Sequence, residues 1–232
     1  MRYIPEPEDE QTIDATETMY PSLLTNHRST RTKRRGIGVR NGTAYGYVVA
    51  GTWMLEHDAV DAKLKPGSFF AVPDLAEIQG EGQLVTIVRY GYRCLPIVGR
   101  RESRGRLSYI DGCSDSMLVV PGRLGDPCFN HLHFPGGILQ TQHTHPSIRL
   151  GIIAAGSGEA WYEGSTVKAP WQIPLLIGGV FCLDEQEQHS FKTFGQPMDV
   201  IAFHPDSDWG PTDANHPMLN RTYMGNAFAF AK

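Results

Sequence analysis

The chain has 232 residues and a formal charge of −4. So even a balance gives no electrostatic handle for nucleic acid or for an anionic membrane surface, and neither is expected as a partner. The 25 glycines and 16 prolines cut the apolar sequence into short pieces, which favours an all-β protein and leaves no run near the ~18 apolar residues that a membrane span needs.

The N-terminus, MRYIPEPEDEQTIDATE, is acidic and lacks a charged-then-apolar leader, so the expected location is the cytoplasm. Residues 1–35 read as an arm. Glu6, Glu8, Asp9 and Glu10 form its acidic start, and Arg28, Arg31, Lys33, Arg34 and Arg35 a basic stretch. That stretch reads first as a solvated connector or a dimer contact, and second as a grip for an anionic ligand. Residues 36–105 and 106–232 then read as two β units. Tyr45–Thr52 (YGYVVAGT) repeats in pattern as Leu150–Ser157 (LGIIAAGS), and Leu64–Pro73 (LKPGSFFAVP) as Leu175–Asp184 (LLIGGVFCLD). The junction falls near Gly99–Gly105. Cys94, Cys113, Cys128 and Cys182 form no Cys-x-x-Cys pair and read as reduced thiols.

The histidines of the second unit carry the chemistry. His131 and His133 in FNHLHF share one strand face with Phe129 by alternation. His143 and His145, in QTQHTH, are again two apart, so one extended segment can aim both at one ion. His189 follows a further apolar run. Three imidazoles converging in a small barrel make a metal site with open positions. Alternation puts Thr141 on the ligand face and Gln140 and Gln142 off it.

Gly137, His143, His145 and Gly156 fall on the first motif of the cupin superfamily, Gly-x5-His-x-His-x3–4-Glu-x6-Gly, which this segment resembles. Its glutamate position holds Arg149. Gly178 and His189 fit the second motif, Gly-x5-Pro-x-Gly-x2-His-x3-Asn, while its Pro, Gly and Asn positions hold Asp184, Gln186 and Thr193. The resemblance implies two tandem cupin (jelly-roll) β-barrels and one divalent metal on His143, His145 and His189. Fe(II) is the first choice and Mn, Ni, Zn and Cu are alternatives. In the repeat register the first unit has Gly38, Arg40 and Ile78 where the ligands would stand, so it is expected to be metal-free and structural.

An arginine stays protonated and ligates nothing, so the site reads as a neutral three-histidine face with up to three positions for substrate and oxygen or water. Three-His cupins include ferrous dioxygenases, and the resemblance implies that activity on a small anionic molecule. A metal-dependent isomerase, lyase or dehydratase and a non-catalytic ligand-binding cupin are the alternatives. Arg149 is expected either to clamp a substrate carboxylate or to pair with Asp184 or Glu185. His131 or His133 is expected to line the pocket as a base or a substitute ligand. His204 ends the last strand and approaches the pocket. Asp206, Asp208 and Asp213 lack EF-hand spacing and read as turn residues, and the segment from Asp206 to Lys232 as a wrap around the barrel. No nucleophile elbow, phosphate loop or dinucleotide fingerprint is present. A homodimer is expected, with the first unit and its arm supplying the contact.

Overall fold

A computed structural model describes residues 1–5, 10–165 and 168–212, together with the paired short strands Tyr223–Met224 and Ala227–Phe228. Glu6, Glu8, Asp9, Asp213 and most of the expected wrap lie outside the described residues. Among those described, regular structure is almost entirely β, and no helix is long and apolar enough to cross a membrane.

The N-terminal segment is not an arm. After β1 (Arg2–Ile4), strand β2 (Gln11–Ala15) pairs antiparallel with the start of β3 (Ser22–His57). Ser22–Ser29 then runs against Arg89–Gly82 of a later strand, and Lys33–Gly38 against Gly80–Leu75. Leu24 is fully buried. The basic stretch is the outer face of β3, where Arg34 pairs with Glu56 and Glu77, and Arg35 with Glu10. Cations spaced along a half-buried strand look like a solvated tract in sequence, because only every second residue meets the core.

Strand β3 bends where its register shifts, between Ser29 and Lys33 and between Gly38 and Gly42. Strands β4 (Val60–Leu64), β5 (Ser68–Tyr90) and β6 (Ile97–Arg100) complete a five-stranded sheet in the order β2-β3-β5-β6, with β4 on β3. The two long strands fold over to enclose Val48, Trp53, Leu55, Phe70, Ile78 and Leu84. Ile78, at the repeat position of His189, is fully buried in that core.

The second unit comprises β7 (Leu107–Ser108), β8 (Ser114–Val119), β9 (Cys128–Phe134), β10 (Arg149–Tyr162), β11 (Trp171–Leu176), β12 (Val180–Leu183), β13 (Ser190–Lys192) and β14 (Met198–His204). The sheet order is β1-β12-β10-β14-β9-β8-β7, with β11 and β13 also on β10. The chain's first strand thus edges the second unit's sheet, with Tyr3 opposite Phe181. The interior holds Leu132, Phe134, Ile153, Phe181, Leu183, Phe191, Met198, Val200 and Ala202.

A third cluster lies between the two units. Tyr45, Tyr47, Phe69, Val85 and Ile87 of the first pack against Phe129, Leu150, Ile152, Ile201 and Phe203 of the second. Tyr45 sits 4.9 Å from Phe203 and 5.8 Å from Phe129, centroid to centroid. Strands β10 and β14 are therefore buried on both faces, which is why they read as continuous apolar runs.

The repeat is physical. At Gly151 a Cβ would come within 2.1 Å of the Phe181 ring, and at Gly46 within 2.1 Å of the Phe70 ring. Each unit sets a phenylalanine ring against a glycine at matching positions, a close approach no larger residue permits.

Candidate metal centre

The ligand segment is irregular. Between β9 and β10 only Leu139 and His143 make bridges, to Lys192 and His189. His143 and His189 exchange backbone hydrogen bonds of 2.9 and 3.0 Å. This bridge, rather than a full strand, brings the two halves of the site together. Gln186 continues it, its N–H donating to the carbonyl of His145 at 2.9 Å.

The ring nitrogens of His143, His145 and His189 able to ligate all lie within 4.8 Å of one another. Ring centroids are 4.5 Å apart for His143 and His189, and 5.1 Å for each of the other two pairs. Nδ1 of His143 is 2.8 Å from the Thr141 carbonyl, and Nδ1 of His189 is 2.8 Å from the Glu187 carbonyl. A carbonyl only accepts, so each Nδ1 carries the proton and each Nε2 presents a lone pair. Nε2 of His189 is buried without a protein partner. An orphaned buried acceptor beside two more imidazoles fits a divalent metal. Burial pushes His145 down to about 2, aided by the nearby Arg149 charge, and burial pushes His189 down to about 4. Both are neutral in the form that binds metal. The three histidines are a group that can hold one metal ion.

The surrounding chamber is small, with about 20 Å³ of free space. Its walls are Leu132, Phe134, Phe181, Leu183, Phe191 and Ala202, and its polar lining is Tyr109, Gln140, Arg149 and His204 beside the three ligands. Burial raises the Tyr109 phenol to about 12, so it is a proton donor at neutral pH. His204 is also lowered by burial and by Arg149. Its ring is 6.2 Å from that of His145, outside the ligand group.

Arg149 lines this chamber, but its partners are not Asp184 or Glu185. Nη1 donates to the Ser147 carbonyl at 3.1 Å, to the Ile148 carbonyl at 2.9 Å and to the Ser147 hydroxyl, and lies 3.5 Å from Asp206. Nε is buried and unpaired.

His131 and His133 do not line the chamber. Alternation along β9 turns Leu132 and Phe134 inward, so the two histidines take the opposite face. There both meet Asp199 Oδ1, at 3.1 Å from His131 Nε2 and 2.7 Å from His133 Nδ1, and Arg101 holds the other carboxylate oxygen at 2.9 Å. This cluster faces the first unit, and neither histidine can serve as base or substitute ligand. Thr141 is also displaced: its N–H and hydroxyl both bond Asp111. Gln140, read as off-face, lines the chamber and accepts from the Phe191 N–H at 3.3 Å. Strand alternation fails for both because residues 140–142 are not strand. Gln142 does turn away, to Ser190 at 2.9 Å. Sequence reasoning missed Tyr109, which stands just before the turn Ile110–Gly112, its N–H donating to the Cys113 carbonyl at 2.9 Å.

The degraded second motif keeps its geometry with other residues. Gln186, at the glycine position, retains a positive φ of 54°. Thr193, at the asparagine position, donates to the Pro135 carbonyl and accepts from the Ile138 N–H at 3.0 Å, tying down the approach to the ligand segment.

No protein-family model and no curated protein matches the chain in sequence. Solved structures match its fold. A putative glyoxylate-induced protein from Pseudomonas aeruginosa aligns with a TM-score of 0.64 at 13% identity, over 90% of each chain. A cupin 2 conserved barrel domain protein from Leptotrichia buccalis aligns at 0.58 and 12% identity, over 88% of this chain and 92% of that one. Bacillus subtilis oxalate decarboxylase, with Mn(II) centres, aligns at 0.56 and 8% identity, over 90% and 76%. The chain has the cupin fold. It is a bicupin, with its three-histidine group in the second barrel and an apolar core at the equivalent place in the first.

Proposed function

We propose that this bicupin is a metal-dependent enzyme acting on a small anionic organic molecule, with a ferrous three-histidine dioxygenase as the leading reading. The observation that carries it is the donor set: three imidazoles with no carboxylate, and a buried guanidinium on the same chamber wall. His143, His145 and His189 would hold the ion. Bound there, it supplies a Lewis-acidic centre with positions open to small ligands. The chain's residues do the rest. The Thr141 and Glu187 carbonyls keep two rings in the ligating tautomer. Arg149 attracts an anionic group, Tyr109 can hold or give a proton at its hydroxyl, and the apolar wall excludes bulk water. Manganese is the first alternative metal, in line with the oxalate decarboxylase neighbour, followed by Ni, Zn and Cu. An isomerase, lyase or dehydratase is the alternative chemistry for the same donor set.

The chamber's 20 Å³ favours one further reading, a metal-binding cupin without turnover. Metal analysis of protein purified without added metal, then oxygen uptake across a panel of small acids, separates these. The proposal expects about one metal per chain, lost in His189→Ala, with oxygen consumed for some acid. Arg149→Lys should keep the metal and raise the Michaelis constant. Metal retained by His189→Ala would overturn the ligand assignment. A metal-loaded protein that turns over none of the panel favours the binding protein. A cytoplasmic homodimer completes the proposal, supported by apolar Leu75, Leu95 and Ile97 at the surface of the first barrel, and light scattering reads its mass.

A further inference from the structure

Beside the metal chamber lies a second cavity of about 210 Å³, lined by Met117, Asn130, Asp206, Asp208 and Trp209 among others. Arg149 and His204 line both spaces. They form the partition between a chamber with room for a few atoms and a cavity with room for a small organic molecule.

The polar groups on the two sides are opposite in kind. Among the residues lining the inner chamber, apart from His189 Nε2, which would face the ion, the buried unpaired atom is a donor, Nε of the cationic Arg149. It adds to whatever positive charge three neutral ligands leave on an ion. Outside, the free groups are acceptors. Asn130 donates its Nδ2 to Asp115 at 2.8 Å, and since a carboxylate only accepts, that fixes the amide and leaves Oδ1 unpaired and buried. Asp206 is shared with Arg149 and Ser147, whereas Asp208 is exposed and in no ion pair among the described residues. Among the described residues on the outer wall Arg149 is the one arginine or lysine, against two carboxylates. His204 stands at the boundary, with no hydrogen bond to its ring among the described residues.

We propose that the substrate is a small amino-substituted carboxylic acid held end-on across this partition, its carboxylate inward at Arg149, its amine outward toward Asn130, Asp206 and Asp208, with His204 contacting it between. This rests on the three histidines being the metal site. It excludes dicarboxylates, whose outer end would meet two like charges.

Cobalt(II)-loaded protein tests it, read by the cobalt absorption spectrum and by competition with azide. Azide is small enough for the inner chamber alone. The acids are butanoate, 4-aminobutanoate and glutarate. The expected result is that 4-aminobutanoate displaces azide about tenfold more tightly than glutarate, with butanoate between them. Asp208→Asn should narrow that preference severalfold, and His204→Leu should weaken all three acids about tenfold while leaving cobalt content and the ligand-free spectrum unchanged. Glutarate binding as tightly as 4-aminobutanoate, or no acid displacing azide, would overturn the proposal. So would a changed ligand-free spectrum in His204→Leu, which would make His204 a ligand. A parent protein that takes up no cobalt would instead bring down the metal reading on which this one stands.

Discussion

Burial sets the acid behaviour of this protein through its histidines. His145 and His189 are depressed to about 2 and about 4, and His27, His204 are lowered as well, each chiefly by burial. In the unfolded chain all four would protonate near pH 6.5. The folded state therefore binds fewer protons between that pH and the depressed values, so its stability rises with pH across that window and falls as pH drops below 6.5. For metal-free protein we expect the melting temperature to decline from pH 7 to pH 5, each buried histidine contributing up to about 1.4 kcal/mol per pH unit. Replacing His27 by Gln should flatten the decline slightly, since its ring is held between Glu10 and Thr86. A melting temperature constant over that range would contradict the assignment. Bound metal should move the acid transition lower still, because protons and ion compete for the same nitrogens.

At the scale of elements, the motif positions that departed from the expected residues are where local geometry is forced. Gln186 sits at φ 54°, in the left-handed region that glycine enters freely. Gln186→Gly should raise stability by up to about 1 kcal/mol in denaturant unfolding, the relief of strain being partly offset by a more flexible unfolded chain. A loss of stability would show that the Thr144–Gln186 contact at 3.2 Å matters more than the backbone. The triad and the two barrels were legible because glycine spacing and period-two alternation are local signals, as at His143, His145 and Gly156. Alternation also gave the shared face of His131 and His133. What it could not give was which side that face turned to, since both faces of β9 are buried and only the partner barrel distinguishes them. Counting by two failed at Gln140 and Thr141, where the chain is extended without pairing. The N-terminal strands were missed because their second neighbours, Leu24 and Asn26 among polar residues, show too few apolar positions to outweigh the charges around them.

At the scale of the whole molecule, the third cluster joins the barrels, and Tyr45 is its test. The ring lies against Phe129 and Phe203, yet the hydroxyl is buried with no partner. Tyr45→Ala should cost roughly 3–5 kcal/mol, as for other large aromatic truncations, whereas Tyr45→Phe should be neutral or stabilising by about 1 kcal/mol, because it deletes an unsatisfied polar atom and nothing else. Calorimetry should show one transition in the parent, both barrels melting together. Two separated transitions would mean that the cluster does not couple them. The strands carrying Arg149 and His204 on one side show Leu150, Ile152 and Phe203 on the other, and the first barrel is what keeps that side dry. The metal centre is thus not a cassette that can be cut out and grafted elsewhere. A barrel with no ligands of its own serves here as the wall against which the working one is cast, and any attempt to miniaturise the protein must first supply another wall.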